Sequence, residues 1–281
     1  MIADFETNTV YFSDLLRTKV EFKVVSENIC EILNKHGKKY DFLNGTKDIW
    51  ARDYMPVQTD KDRFVQFRYE PTYLKDFLEL QSDPKFICDV NNIKPIFSNI
   101  NLDGGNVVKW NDKVLITDRI YSENPEFTDK IQLVRKIETL LETEVIIIPQ
   151  IKSDFTGHAD GLVKLVDSNT ILGNDLDFEY NYWSKEMRSV NADRNFKYIN
   201  MPIFEYKEKK FPNSAIGCYI NYLEIEDLIV FPIFEVAGNK DKEAVDLITE
   251  LYPNKIIETV NLNPVAREGG LMNCITWNIK K

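Results

Sequence analysis

Four side chains at three widely separated places in the sequence have the chemistry needed to attack a planar cation. Cys274 lies near the C-terminal end, His158 and Asp160 lie in the run GHADG, and Asp53 lies in the run WARDYMP. A thiolate can attack a guanidinium carbon, an imidazole can exchange protons, and carboxylates can accept hydrogen bonds from guanidinium N–H groups. Because the chain has only two histidines, the choice of His158 as general acid and base is nearly forced.

The sequence around Cys274 suits a nucleophile held between a loop and a strand. Gly269 and Gly270 precede it and can adopt backbone angles that other residues avoid, and a strand-like alternation follows it. A free cysteine at a terminal strand is commonly a small buried apolar residue, so this segment alone leaves both interpretations open. The remaining cysteines are interpreted as ordinary core thiols: Cys30, Cys88 and Cys218.

His158 and Asp160 are two positions apart in a segment that runs into a predicted strand. Side chains at positions i and i+2 of a strand point to the same face, so this spacing predicts that imidazole and carboxylate share one side. The flanking Gly157 and Gly161 fit a solvated surface turn equally well. The second histidine, His36, has the surroundings of a helix C-terminus and is expected to be solvated and inert.

Asp53 directly follows Arg52, and such a pair is usually a surface ion pair of little energetic value. In a pocket, Asp53 and Asp160 could instead each bind two N–H groups of one guanidinium. Two buried carboxylates without a cation would be costly and would raise each other's pKa values. A site of this kind therefore requires a positively charged ligand.

The composition limits the class of protein. With 281 residues, 43% hydrophobic and 28% charged, and with no Pro/Gly/Ser-rich linker, the chain is predicted to form one domain over residues 1–281. A formal net charge of -10 argues against a nucleic-acid partner and suits a cationic substrate, although solubility alone also explains an acidic surface.

The cysteine spacing and the lengths of the apolar stretches also bear on metal sites, disulfides and cellular location. Without a CxxC pair or a histidine cluster, neither structural zinc nor a disulfide framework is expected. The first residues lack the features of a signal peptide, and no apolar stretch is long enough for a bilayer. We therefore expect a cytoplasmic protein that does not enter membranes.

The hydrophobic pattern indicates a mixed α/β chain that positions these groups. Amphipathic helices are predicted near 17–36, 128–142 and 240–251, with Thr128 as the N-cap of the second and Ile131 on its apolar face. Strands are predicted at 9–12, 64–69, 107–110, 114–117, 145–148, 162–166, 170–172, 228–231, 256–260 and 275–279.

Polar residues next to a glycine or a strand recur along the chain at intervals of 50, 55, 63 and 53 residues: Asp53, Asp103, His158, Asn221 and Cys274. Five near-equal units predict a closed array in which each unit contributes one strand end to a shared central site. Because the units show no visible sequence similarity, the spacing alone leaves coincidence open.

Four motifs, in this order across nearly the whole chain, carry a family resemblance: WxRD, DGGN, GHxDG and GGxxNCIT. Together they resemble the agmatine deiminase and Porphyromonas-type peptidylarginine deiminase family, within the guanidine-modifying, or pentein, superfamily. The resemblance implies an α/β fold, the pentein five-bladed α/β-propeller, with pseudo-fivefold ββαβ repeats around a central active site.

Carried over by position, the resemblance implies that Cys274 is the nucleophile and His158 the general acid and base. It makes Asp53 and Asp160 the residues that bind the guanidinium, and it places Trp50 along the substrate channel. The DGGN run and Asn221 match positions nearer to structural or supporting roles, with Asp103 also a candidate for contact with the substrate.

The implied reaction is hydrolysis of a guanidino substrate, agmatine or an arginine derivative, to a ureido product and ammonia through a covalent thiouronium. It needs no metal or organic cofactor, and it would belong to putrescine biosynthesis if the substrate is agmatine. An amidinotransferase with the same residues, a non-catalytic pentein binding protein and a Cys-His hydrolase on another fold are the alternatives. A homo-oligomer is compatible with the sequence.

Four positions depart from the family pattern. Asn273 stands where agmatine deiminases typically have histidine, and Asp103 stands where that branch often has glutamate. A rough alignment places Glu70 and Thr72 where the peptidylarginine branch has a pair of arginines for a terminal carboxylate. Because Glu70 would repel a carboxylate and attract a second cation, it slightly favours an amine-bearing substrate and is a candidate for substrate binding.

Overall fold

Fifteen β-strands form five separate three-stranded sheets in the computed structural model, which describes residues 1–281. The strands are β1 Thr9–Ser13, β2 Lys39–Leu43, β3 Val57–Asp60, β4 Arg63–Arg68, β5 Ile96–Asn101, β6 Val108–Lys109, β7 Lys113–Thr117, β8 Glu144–Ile148, β9 Val163–Asp167, β10 Thr170–Asn174, β11 Lys197–Met201, β12 Leu223–Ile225, β13 Leu228–Ile233, β14 Ile256–Asn261 and β15 Thr276–Ile279. The α-helices are α1 Leu15–Thr18, α2 Val20–Lys35, α3 Ala51–Tyr54, α4 Pro84–Val90, α5 Arg119–Glu123, α6 Lys130–Leu141, α7 Asn181–Arg194, α8 Asp241–Leu251 and α9 Asn263–Ala266.

Every sheet repeats one ββαβ order, and we call a sheet with its helix a blade. In blades 2 to 5 the strands are consecutive: β3–β4–β5, β6–β7–β8, β9–β10–β11 and β12–β13–β14. The first two strands of each are antiparallel, and the third, which follows the helix, is parallel to the second. A parallel strand needs such a crossover. The arrangement confirms the five units that the sequence spacing predicted.

Blade 1 takes its strands from distant parts of the chain, in the order β15–β1–β2. Strand β15 pairs antiparallel with β1, with Thr9 opposite Ile279 and Phe12 opposite Thr276, while β2 runs parallel to β1. The segment that carries Cys274 is therefore fixed by pairing with the beginning of the chain.

The apolar core lies between the blades and under their helices. The largest cluster joins blades 1 and 5 through α2, β13 and α8, and it includes the fully buried Phe12, Ile29 and Phe231. In blade 4 the fully buried Trp183 of α7 packs with Met187, and its indole N–H donates to the carbonyl of Pro149 at 2.8 Å. The indole thus satisfies its single donor while its ring fills the core.

All three predicted helices are confirmed, with corrections to their ends. The first is divided, because Lys19 is extended between α1 and α2. The N-cap of α6 is Asp129 and not Thr128, since the Asp129 carboxylate accepts the N–H groups of the first turn. Ile131 does not lie on the apolar face: it is 64% exposed, and the buried residues of α6 are Leu133, Ile137 and Leu141.

The ten predicted strands are all present, but the sequence pattern missed five strands and the long helix α7. Three missed strands, β2, β5 and β11, are the outer, parallel strands of their blades and are largely exposed at their first residues. Edge strands that carry polar and charged residues lack the alternation on which the prediction relied. Helix α7 was missed because few of its residues are apolar.

None of the helices combines the length and apolarity needed to cross a bilayer.

Trp183 provides a test of the core. We expect Trp183→Ala to lower the free energy of unfolding by about 3 to 5 kcal/mol, because it leaves a cavity and an unpaired carbonyl. Phe178→Ala, at a ring that is 50% exposed in the same blade, should cost less than about 1 kcal/mol. Urea denaturation followed by circular dichroism measures both, and equal losses would contradict the packing described for blade 4.

Candidate active site

A cavity of about 320 Å³ lies where the loops before the blades converge. Asp53 precedes β3, Asp103 precedes β6, His158 and Asp160 precede β9, Asn221 precedes β12, and Cys274 precedes β15. Each recurring polar residue therefore stands just before the first strand of a blade. The structure brings five predicted residues to the wall of this one cavity: Trp50, Asp53, His158, Asp160 and Cys274.

The Cys274 thiol is half-buried and is held by two side chains. Asn221 donates from Nδ2 to Sγ at 3.3 Å, and its Oδ1 accepts the Cys274 backbone N–H at 3.3 Å. The Oδ2 atom of Asp160 lies 3.8 Å from the sulfur. Burial, followed by the charges of Asp160 and Asp53, raises the pKa of Cys274 well above its usual value. Without a cation beside it, the sulfur is therefore held as a neutral thiol.

Glycines shape the approach to Cys274. Gly269 has a φ of +98°, a conformation that side chains disfavour. A Cβ added at Gly270 would lie 2.4 Å from the indole ring of Trp50, so the close packing of this loop on Trp50 requires glycine. The predicted role of the glycine pair in presenting the cysteine agrees with this geometry.

His158 lies between two carboxylates. Its Nε2 is 2.8 Å from Asp103 Oδ2, and its Nδ1 is 3.5 Å from Asp53 Oδ1. Burial, the largest influence, lowers the pKa of His158, but the carboxylates, Asp53 first, outweigh it and raise the pKa to about 10. The imidazole is therefore positively charged at neutral pH.

The predicted strand geometry of His158 and Asp160 is wrong. His158 caps a single 3-10 turn, Ala159–Gly161, and β9 begins only at Val163. Both side chains still reach the cavity, but in different directions: His158 contacts Asp53 and Asp103, whereas Asp160 contacts Asn273 and Cys274. The alternative of a solvated turn is also excluded, because both residues are buried.

Asp53 belongs to the short helix α3 and is buried. Its Oδ1 accepts the backbone N–H of Gly105 at 3.1 Å, and a Cβ at Gly105 would lie 2.6 Å from His158 Nδ1. Glycine is therefore required where this backbone passes the aspartate and the imidazole. Burial raises the pKa of Asp53 well above its usual value, with His158 opposing and Asp103 and Asp160 adding to the shift.

Arg52 does not form the surface pair with Asp53 that its position in the sequence suggested. It is buried and points to the opposite side, where it donates to Asn273 Oδ1 at 3.0 Å and to Asn278. Asn273 in turn donates to Asp160 Oδ2 at 2.7 Å. Asn273, one of the residues that depart from the family pattern, thus connects a buried guanidinium to a carboxylate of the cavity.

Behind Arg52 lies a buried ionic network around Asp4. Its carboxylate contacts Lys109 at 3.1 Å and Lys164 at 3.2 Å, and Asn278 bridges it to Arg52. Burial favours the neutral acid, but the two lysines and Arg52 together lower the pKa of Asp4 far below its usual value. The network extends from the N-terminal segment to the carboxylates of the cavity.

Other residues lie where the sequence did not predict them. Glu70 does not line the cavity. Its exposed side chain instead lies 3.7 Å from the guanidinium of Arg68. Asp103 stands behind His158 and accepts a hydrogen bond from Tyr73 at 2.9 Å. Cys218 is not an ordinary core thiol, since it lines the cavity. His36 is not solvated: it pairs with Glu258 at 2.7 Å.

Charge in the cavity wall has one sign apart from His158. No lysine or arginine lines the cavity. Apart from the histidine, two cysteines and one tyrosine, the ionisable groups of its wall are all carboxylic acids: Asp53, Asp154, Asp160, Glu179 and Glu268. Asp154 and Glu179 lie outside the motifs, and nothing in the sequence indicated that they would line the cavity. No group of three His, Cys, Asp or Glu is arranged to bind a metal ion. A cavity with this wall favours a cationic ligand.

Known proteins resemble this chain in sequence and in fold. The family described as Porphyromonas-type peptidyl-arginine deiminase matches residues 1–279. The chain is 26% identical over 210 residues to a "Putative agmatine deiminase" of Photobacterium profundum, a match that covers 65% of this chain and 56% of the relative. A protein of the same description from Mycoplasma mycoides is 25% identical over 223 residues, covering 68% and 60%. The matched region thus spans little more than half the length of these relatives.

Solved structures extend the likeness to the fold. The arginine deiminase-like structure from Porphyromonas gingivalis superposes with a TM-score of 0.79 at 15% identity, covering 99% of this chain and 97% of the other. The agmatine deiminase of Enterococcus faecalis gives 0.78 at 16% identity, covering 100% and 95%. The predicted pentein fold is confirmed. With the family match over nearly every residue, this chain belongs to the Porphyromonas-type peptidyl-arginine deiminase family.

Proposed function

We propose that this protein is a hydrolase of linear C–N bonds that deiminates a guanidino substrate to a ureido product and ammonia. The observation that carries the proposal is a thiol, an imidazolium and two carboxylates around one cavity whose wall has no lysine or arginine. The descriptions of the relatives, agmatine deiminase and peptidyl-arginine deiminase, make agmatine and arginine derivatives the candidate substrates.

Substrate binding is the first step. Asp53 and Asp160 each accept N–H groups of the guanidinium, whose positive charge offsets the two carboxylates. Trp50 lies along its planar face. A positive charge beside Cys274 lowers the pKa of its thiol, so the thiol loses its proton to solvent and the reactive thiolate forms when the substrate is present.

Covalent chemistry follows in two halves. The Cys274 thiolate attacks the guanidinium carbon to give a tetrahedral adduct, His158 donates its proton to the departing nitrogen, and ammonia leaves. A thiouronium joins the sulfur to the remaining carbon. His158, now neutral, takes a proton from water as the water attacks that carbon. The second adduct then loses its hydroxyl proton to solvent, expels the thiolate and releases the neutral ureido product. These steps require no metal or organic cofactor.

Positioning residues support these groups. Asn221 holds the sulfur through its amide, and Asp103 holds the imidazolium from the side opposite to Asp53. Because the proposed site draws on loops before all five blades, we further propose that residues 1–281 work as one domain. No blade alone contains both the nucleophile and the general acid.

Removal of the nucleophile tests the reaction. Wild-type protein should release ammonia and a ureido compound from at least one of agmatine, free arginine, internal peptidyl-arginine and C-terminal peptidyl-arginine. Cys274→Ala should lower this turnover by at least about 10⁴-fold, whereas Cys218→Ala, which removes the other thiol of the cavity, should retain it. Turnover that persists in Cys274→Ala would contradict the assignment, and turnover that requires an added amine would indicate amidino transfer.

Asp160 should contribute to substrate capture as well as to chemistry. Asp160→Asn keeps the shape but loses the charge and one bidentate acceptor, so kcat/KM should fall about 10²-fold or more. Glu70→Gln removes a carboxylate outside the cavity and serves as the matched control, with kcat/KM unchanged within about twofold. Similar effects of the two substitutions would rule out a specific role for Asp160.

The charge state of His158 can be measured directly, because the chain has only two histidines. In Cys274→Ala protein, the imidazole resonances of His158 should titrate with a pKa near 10. Asp103→Asn removes a carboxylate that favours the charged ring, so the pKa should fall by about 1 to 3 units. The resonances of His36 give an internal control that Asp103→Asn should not affect. A His158 that titrates near its ordinary value in Cys274→Ala protein with Asp103 intact would contradict the proposed general acid.

A further inference from the structure

Tyr73 lies in the cavity wall beside His158 and reaches the carboxylate behind it. Its hydroxyl donates to Asp103 Oδ2 at 2.9 Å, and the same oxygen lies 2.8 Å from His158 Nε2. The phenol ring also meets the imidazole edge to face, with 6.0 Å between the ring centroids. Tyr73 therefore contacts both the imidazole and the carboxylate that orients it.

Two donors hold the Asp103 side chain, and both bind its Oδ2 atom. One of them, His158, changes its charge during the proposed reaction when it gives its proton to the departing nitrogen. The other does not, because burial first, and then the charge of Asp103, raises the pKa of Tyr73 well above its usual value. The phenol therefore keeps its proton and remains a donor to Asp103 throughout.

The turn that carries Tyr73 is itself held by a carboxylate from the next blade. Glu123, at the end of α5, accepts the backbone N–H of Thr72 at 3.1 Å and the hydroxyl of Thr72 at 2.6 Å. It also accepts from Arg119 Nε at 2.9 Å and from Asn101 Nδ2 at 3.2 Å. Because only 10% of the Glu123 side chain is exposed, these contacts are shielded from solvent, and they fix the residue directly before Tyr73.

We propose that Tyr73 is a positioning residue for the imidazole of His158 and acts through Asp103. Glu123 holds the turn from which it acts. The hydroxyl keeps Asp103 Oδ2 against His158 Nε2, so that Nδ1 is left on the side of Asp53. Since the single phenol proton binds Asp103, Tyr73 itself transfers no proton. This inference rests on the proposed role of His158 and adds the tyrosine on which its orientation depends.

The first test removes only the hydroxyl and observes the imidazole by NMR in Cys274→Ala protein, so that no turnover is needed. Tyr73→Phe should lower the pKa of His158 from about 10 by about 0.5 to 1.5 units, because a carboxylate that is free to turn towards solvent favours the imidazolium less. With Asp103→Asn already present, Tyr73→Phe should change this pKa by less than about 0.3 unit, since the group through which it acts is gone.

Turnover gives a second, independent measurement. Tyr73→Phe should lower kcat about 10- to 100-fold, because proton transfer depends on the orientation of the imidazole. KM should stay within about threefold, because the hydroxyl faces Asp103 and not the substrate. Glu123→Ala, at a residue outside the cavity, should lower kcat and the pKa of His158 in the same direction. If it changes neither, Glu123 has no part in the positioning.

Tyr40→Phe is the matched control, since it removes a phenol hydroxyl that accepts a hydrogen bond from Asn34 outside the cavity; it should change neither kcat nor the pKa of His158. Thermal unfolding of each variant checks that the fold is retained. An unchanged or raised pKa of His158 in Tyr73→Phe, or equal effects with and without the Asp103 carboxylate, would overturn the positioning role. Absence of ammonia release by wild-type protein, with the pKa changes as expected, would overturn the proposed reaction alone.

Discussion

The site depends on negative charge buried at high density without enough positive charge to balance it. Asp53 and Asp103 flank a single imidazole, Asp160 lies beside the Cys274 thiol, and no lysine or arginine reaches the cavity wall. Carboxylates in such a place would normally take up protons or be solvated. Here a specific hydrogen-bond donor positions each side chain: the backbone N–H of Gly105 for Asp53, Asn273 for Asp160 and Tyr73 for Asp103. A bound cation would offset the remaining negative charge, and this contributes to its binding free energy.

The fivefold repetition explains how so many polar groups meet in one place. Each blade follows a loop that brings a polar residue to the cavity wall or, for Asp103, directly behind His158. These residues carry a thiol, an imidazole, a carboxylate or an amide. The sheets behind the loops are apolar and packed. The packed sheets thus provide stability and fix where each loop begins, whereas the side chains of the loops provide the functional groups.

Much of this arrangement could be predicted from the sequence, because motif residues lie at one fixed place in each repeat. The spacing of Asp53, Asp103, His158, Asn221 and Cys274 predicted five units, and the structure has them. Local conformation was harder: the i, i+2 spacing of His158 and Asp160 suggested a strand, but backbone hydrogen bonds close a 3-10 turn there. Glu179, Asn174 and Tyr73 reach the cavity through tertiary packing alone, so no local pattern could indicate them. Glu70 was misplaced because an alignment position does not fix the direction of a side chain at an exposed strand end.

The network of Asp4, Arg52 and Asn273 has a consequence for how variation in this protein should be interpreted. Asp4 holds Lys109 and Lys164 and, through Asn278, contacts the arginine that orients Asn273 against Asp160. A library of random variants screened for function would therefore lose activity at positions that no ligand touches. The sensitive positions would extend from the N-terminal segment to the cavity, and a survey confined to the cavity wall would overlook them.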